Sequence, residues 1–266
     1  MALPFAELSF PEIYEQALVT PIFRPWVDEL LDDVELAAGD RLLDIACGTG
    51  IVARVAMERL AGTGTVVGVD RSPLMLAVSR NVAPDIDWRE GDASVLPLFD
   101  GEQFDVVVCQ QGLQFFPDRP AAALEMRRAL AADGRLAVST WLPDDKFPLL
   151  LELRHVAERH VGTVVDKRHA FGDTTAVETV LSDAGFRDVR SKTVTRTIRF
   201  EDGSEFAEFN AIALVTFCAK AKNMSDEQRA DVVAAIARDS ADIVRRHTGE
   251  DGFAFELGAN VTLARG

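Results

Sequence analysis

The chain has 266 residues, 48% hydrophobic and 27% charged, which is enough for one large α/β domain or a domain with a sizeable insertion. A net charge of −15 argues against binding that rests on Lys/Arg–phosphate contacts, whether to DNA, RNA or an anionic membrane, and leaves a small or neutral ligand. No apolar run reaches the roughly 18 residues of a membrane span, and the start Met1-Ala-Leu-Pro-Phe-Ala-Glu7 has no basic region of a signal peptide. Cys47, Cys109 and Cys218 are scattered without CxxC spacing, so reduced thiols in a cytoplasmic protein are expected.

Residues 11 to 35 predict one or two short helices punctuated by Pro21 and Pro25, with Trp26, Val27, Leu30, Leu31 and Val34 at helical spacing. Leu42-Leu-Asp-Ile45 reads as the end of a buried strand, Gly48-Thr-Gly50 as a tight turn, and Ile51 to Leu60 as a helix. Gly64 to Asp70 is an apolar, β-branched strand that ends on an acid, and Ser72-Pro73 starts the next helix. Strands are expected at Ile86 to Glu90, Phe104 to Cys109 and Arg135 to Trp141, with a helix from Pro120 to Ala131 and a turn at Gly134. Beyond Trp141 the expectation is a helix carrying Leu149, Leu153, Val156 and His160 on one face. Next come a helix from Asp173 or Thr174 to Ala184, a strand from Val189 to Phe200 and helices over 204–219 and 225–247. A final strand carries Phe253, Phe255, Leu257, Ala259, Val261 and Leu263 in alternation.

Strand–helix alternation repeated five times predicts an α/β, doubly wound, Rossmann-like parallel sheet. Two C-terminal strands follow, the last antiparallel, with N-terminal helices at one end of the chain and a helical insertion before the last strand. The expected organisation is one domain over 1–266: a cap (1–36), a cofactor-binding core (37–142) and acceptor-facing helices and strands (143–266). Ligands of such sheets sit beyond the strand C-termini, where Asp44, Asp70, Asp92 and Gln110 all fall.

Gly48-Thr-Gly-Ile-Val-Ala53 also fits the dinucleotide pattern GxGxxG/A, with Asp70 about twenty residues on. Asp44 discriminates between the two nucleotides. A negative charge beside the turn repels a pyrophosphate and suits the positively charged S-adenosylmethionine (SAM).

In this order and spacing the segments resemble class I SAM-dependent methyltransferases, of the UbiE-like, methyltransferase type 11 group. The matching stretches are Leu42 to Gly50, Val67 to Asp70 with Ser72, Pro73 and Met75, Gly91-Asp92-Ala93, Phe104 to Asp118, and Leu130 to Ser139. Ala46 departs from the pattern, where many members have Gly. The resemblance implies that Ala46, Gly48 and Gly50 let the backbone approach the methionyl moiety, with Asp44 at its amino end. It further implies that Asp70 binds the ribose, Met75 packs on the adenine, Asp92 accepts from its N6 group, and Ala93 contributes a backbone N–H. The Gln110 carbonyl meets the ammonium, and Tyr14 closes the site.

The expected reaction is methyl transfer to a small lipophilic or aromatic acceptor, leaving S-adenosylhomocysteine. A non-methylating rearrangement on the same cofactor and a non-catalytic SAM-binding protein stand as alternatives. Gln111, His155 and His160 are the candidate catalytic residues, a base aiding a hydroxyl acceptor. Gln114, Phe115, Trp141, Phe147, Phe171, Phe206, Phe209 and Phe217 are candidates for an apolar acceptor pocket, with ordinary core packing as the plain alternative for each Phe. No metal cluster stands out, and nothing fixes an oligomeric state.

Overall fold

A computed structural model describes residues 9–266; the signal-peptide reading of Met1 to Glu7 lies outside them. The chain divides into two compact units. One comprises the chain up to Thr140 together with Asp173–Val194 and Asn260–Gly266; the other comprises Trp141–Gly172 and Thr195–Ala259.

The first unit starts with a short helix α1 (Phe10–Ile13), closed by a capping box between Ser9 and Glu12. The next ten residues, Tyr14–Phe23, wind as a π-helix that carries Pro21 inside it. Alpha geometry returns in α2 (Arg24–Asp33). One or two ordinary helices were expected here. A helix bonded from residue i to i+5 is rare and tends to occur at functional sites.

Four strands follow: β1 (Arg41–Ile45), β2 (Thr65–Asp70), β3 (Asp87–Glu90) and β4 (Phe104–Gln110). Between them lie α3 (Ile51–Leu60) and α4 (Pro73–Val82), and α5 (Arg119–Ala129) precedes β5 (Leu130–Trp141). The pairs β1–β2, β1–β4, β2–β3 and β4–β5 are all parallel. Strand β5 begins at Leu130, ahead of the expected Gly134 turn. Its pairing jumps from Phe104 with Leu130 to Val106 with Arg135, so a bulge absorbs Ala131 to Gly134 within the strand.

Strands β6 (Arg187–Phe200) and β8 (Gly252–Arg265) complete the order β3-β2-β1-β4-β5-β8-β6. Bonds from Leu142 to Gly258 and from Gly266 to Gly134 make β8 antiparallel to β5. The strand order reverses between β1 and β4, so the ligand crevice of such a sheet falls at their C-terminal ends. The core of this unit packs Leu30, Leu31, Leu42, Val52, Leu60, Leu76, Trp88 and Val108 around those strands.

The second unit contains α6 (Pro148–Val161), α8 (Gly203–Phe217), α9 (Asp226–Asp239) and α10 (Ala241–Arg246), while α7 (Thr174–Asp183) belongs to the first. The single helix expected over 225–247 is broken at Ser240. That residue is fully buried, and its hydroxyl donates to the Ile236 carbonyl, so the chain turns there instead of continuing. A two-residue strand β7 (Thr248–Gly249) then pairs with the start of β8. Among the described residues no helix is long and apolar enough to cross a membrane.

Candidate functional site

Three residues in the loop after β1, Ala46, Gly48 and Gly50, have φ of 58°, 58° and 91°. Left-handed backbone is natural for glycine and costs an alanine about 1–2 kcal/mol. The three glycine-like positions serve different neighbours. A β-carbon on Gly48 would lie 3.9 Å from the Tyr14 ring, so Tyr14 covers this turn. On Gly50 it would strike Trp88 at 2.2 Å, and the same indole also fills the space beside Gly68. The room at Gly50 is therefore taken by Trp88, whose Nε1 donates to the Ala83 carbonyl.

Asp70, at the end of β2, accepts from Gly48 N–H and Ser72 N–H, each at 2.8 Å. Its carboxylate thus braces the glycine turn and starts α4, while lone pairs remain for a ligand. Asp44 is 1% exposed and accepts from Ala53 N–H at 3.1 Å, in the first turn of α3. Neither carboxylate has an ion-pair partner among the described residues. Burial pushes both upward, Asp44 to about 8, with the charge of Asp70 adding to the shift. A fixed negative charge at Asp44 was the expectation, and burial corrects it: without a nearby cation the group is largely neutral at pH 7. Burial and the neighbouring acids Asp70, Glu15 and Asp44 likewise raise the Tyr14 phenol, which keeps its proton.

Short links join the other candidates to this centre. Gly91 N–H donates to the Asp70 carbonyl, and Asp92 and Ala93 follow Gly91 directly in the chain. One oxygen of Asp92 already accepts from both the Ser94 N–H and hydroxyl. Met75 N–H donates to the Ser72 hydroxyl at 3.3 Å. The Gln110 Nε2 donates to the Phe23 carbonyl, and the Phe23 ring stacks on Tyr14 at 4.8 Å. The N-terminal π-helix is thereby fastened to the end of β4. A second fastening was not legible in the sequence: Arg54 on α3 pairs with Glu15 at 2.7 Å. An acid on one helix and a base thirty-nine residues later carry no motif.

The ends of β4 and β5 carry buried polar atoms with no hydrogen-bond partner among the described residues. They are Gln110 Oε1, both amide atoms of Gln111 and of Gln114, and the Ser139 and Thr140 hydroxyls, with Thr49 in the glycine loop. Each such group costs about 1–3 kcal/mol when left unsatisfied, so a cluster of them is the mark of a polar ligand's place. Gln111 holds φ of 55°, and its N–H donates to the Ser139 carbonyl at 3.0 Å. Arg119 donates to the Leu113 and Gln114 carbonyls, which fixes the turn that carries Gln114. Ser139 and Thr140 were missed in the sequence because hydroxyls within a β-branched strand look like ordinary strand residues.

The acids, amides and covering tyrosine fit SAM: an ammonium and a sulfonium would ionise and pair Asp44, and unpaired amides and hydroxyls would meet its polar groups.

In the second unit His155 is exposed on α6, and His160 pairs with Asp239 at 2.9 Å. Phe206 packs against Phe200, Phe253 and Phe255 with ring centroids 4.6–5.4 Å apart, which is core packing and not a pocket wall. Phe147 is buried beside His169. Among the described residues no cluster of three or more His, Cys, Asp or Glu could hold a metal ion.

Residues 43–138 match the family described as Methyltransferase domain. The nocamycin O-methyltransferase of Saccharothrix syringae is 35% identical over 191 residues, 63% of this chain and 66% of that protein. The demethylmenaquinone methyltransferase of Thermus thermophilus is 38% identical over 125 residues, covering 46% and 56% of the two chains. The chain thus spans 66% or less of the length of these curated relatives. In fold it is similar to the YcgJ protein of Bacillus subtilis, with a TM-score of 0.57 at 20% identity over 90% of this chain and 97% of the other.

Proposed function

We infer from membership of the class I methyltransferase family, which residues 43–138 carry, that this chain moves a methyl group from SAM to a small, lipophilic or aromatic organic acceptor. The observation that carries this reading is the buried Asp44 and the half-buried Asp70, flanking one glycine turn with no ion pair to either among the described residues. When bound, SAM supplies an electrophilic methyl group on a sulfonium. Asp44 holds the cationic amino end together with the Gln110 carbonyl. Asp70 uses the lone pairs left by Gly48 and Ser72 to accept ribose hydroxyls, and Met75, Asp92 and Ala93 hold the adenine. Ala46, Gly48 and Gly50 keep the main chain close to the methionyl part. Tyr14, held by its stack on Phe23, keeps water away.

Gln111 aligns the acceptor. Alignment alone is worth about 7–11 kcal/mol of barrier in well-oriented reactions. Exposure of His155 and the Asp239 pair of His160 weigh against a base role for either. The relatives, a nocamycin O-methyltransferase and a demethylmenaquinone methyltransferase, support a small organic acceptor. The net charge of −15 supports the absence of nucleic acid and membrane partners. A cytoplasmic protein acting as one methyltransferase domain over the whole chain completes the reading.

Calorimetric titration with SAM tests the site, and mass detection of S-adenosylhomocysteine with a methylated product tests the reaction. No heat of SAM binding overturns the reading. SAM binding with a rearranged product and no S-adenosylhomocysteine replaces it with cofactor-assisted rearrangement.

A further inference from the structure

We propose that Arg168 and Asn210 form a receptor for one neutral carbonyl oxygen of a small organic ligand, such as a ketone, quinone or amide. The proposal concerns the second unit alone and does not rest on the methyl-transfer reading. Arg168 lies in a 3-10 turn (Lys167–His169) and Asn210 in α8, both within that unit.

The guanidinium is held along one edge and open on the other. Its Nε and Nη2 donate to the Asp166 carboxylate at 2.8 and 2.5 Å, which fills that edge. Nη2 also donates to Asn210 Oδ1 at 2.9 Å. The two N–H groups of Nη1 have no partner among the described residues. Because a guanidinium only donates, the Asn210 amide must turn its oxygen toward it. The Nδ2 of the same amide therefore lies next to the arginine, and it too has no partner among the described residues.

Each oxygen of this cluster already has a donor, since Asp166 also accepts the Arg168 main-chain N–H. What remains open is N–H, and N–H calls for an accepting oxygen. Burial raises the Asp166 carboxyl, but the bonds and charge of Arg168 lower it more, so the pair is ionised and its charges cancel. A desolvated anion would find no net opposite charge here, whereas a neutral carbonyl needs only the donors. The Arg168 side chain is 23% exposed, which leaves its open edge within reach. Asn210 is only 3% exposed and stands on α8 among Phe206, Ala207, Phe209 and Ala211, each at most 5% exposed. Donors fixed beforehand in such apolar surroundings bind a carbonyl with little ordering cost.

The test uses the full chain and two probes with one ring system, 1-tetralone, which has a carbonyl, and tetralin, which has none. Equilibrium dialysis gives the affinity of each. A merely apolar site favours tetralin, because it strips no water from a polar group. The proposed receptor should instead bind 1-tetralone at least tenfold more tightly. Asn210→Asp keeps an oxygen facing Arg168 and replaces only the open Nδ2, so it should lose at least tenfold in 1-tetralone affinity. Its tetralin affinity and thermal midpoint should hold, since the bond to Arg168 survives. An asparagine that serves only to hold Arg168 would tolerate this change with no loss of either probe. Where Asn210→Asp fails to fold, Arg168→Lys decides: it keeps the charge beside Asp166, removes Nη1, and should lose 1-tetralone to the same degree. Equal affinity of the wild-type protein for the two probes, an intact 1-tetralone affinity in the folded variant, or binding of neither probe overturns the proposal.

Discussion

Ala46 and Gly112 share one small space: a β-carbon on residue 112 would come within 2.7 Å of the Ala46 Cβ and 2.8 Å of the Cys109 sulfur. The left-handed alanine at this position is thus accommodated by a glycine sixty-six residues later. Gly112→Ala should destabilise the protein by about 1–3 kcal/mol through overpacking. Ala46→Gly should be neutral or slightly stabilising, since it relieves a left-handed alanine. The double variant should recover part of the Gly112→Ala loss. A thermal or urea double-mutant cycle measures the coupling, and strict additivity would contradict the shared space.

Asp44 makes stability and cofactor binding depend on pH. Its ordinary value is 3.8, and burial holds it at about 8 in the fold. Between those values the unfolded chain has released a proton that the folded chain keeps, so stability falls as pH rises through this window. Asp44→Asn should remove that fall, with a gain of about 1–3 kcal/mol at pH 8 and none near pH 4. SAM should ionise Asp44, so binding below pH 8 should release a proton. Calorimetry in two buffers of different ionisation enthalpy detects it, and equal heats in both would contradict the linkage.

Trp88 is the side chain on which Gly50 and Gly68 both rest. Trp88→Ala should cost about 3–5 kcal/mol and weaken SAM binding, because the glycine turn loses its support. Gly50→Ala should be similarly damaging, for both its φ of 91° and the 2.2 Å contact. Chemical denaturation of the two variants measures both, and wild-type stability in either would contradict the packing.

His160 and Asp239 form a half-exposed pair, and such pairs contribute about 0–1 kcal/mol. His160→Ala should leave SAM affinity unchanged and shift stability by less than 1 kcal/mol. A hundredfold loss of kcat at unchanged stability would restore a catalytic role to this residue.

Much of the sheet was legible in the sequence because its strands are short apolar, β-branched runs bounded by glycine and acid, as at Thr65 to Asp70. The capping box at Ser225 and Gln228 is present in both directions, and Asp173 caps α7 as expected. Other features depend on distant packing. Ser240 is an acceptable residue inside a helix until its surroundings bury it. Trp88 under Gly50 is a contact between residues thirty-eight apart, and no local pattern encodes it. Residue type placed Asp44 in the site, but its protonation follows from burial, which a sequence does not display.

The π-helix from Tyr14 to Phe23 is a feature of chain length as much as of composition. These two aromatics are nine residues apart. At about 3.6 residues per turn that spacing is two and a half turns, which sets them on opposite sides of an α-helix. The wider winding returns them to one side, where their rings meet at 4.8 Å. The segment therefore works as a vernier: ordinary α-winding over the same nine-residue spacing would carry the tyrosine about half a turn away from the phenylalanine it meets. Deleting a single residue here should harm SAM binding more than most substitutions within the same stretch.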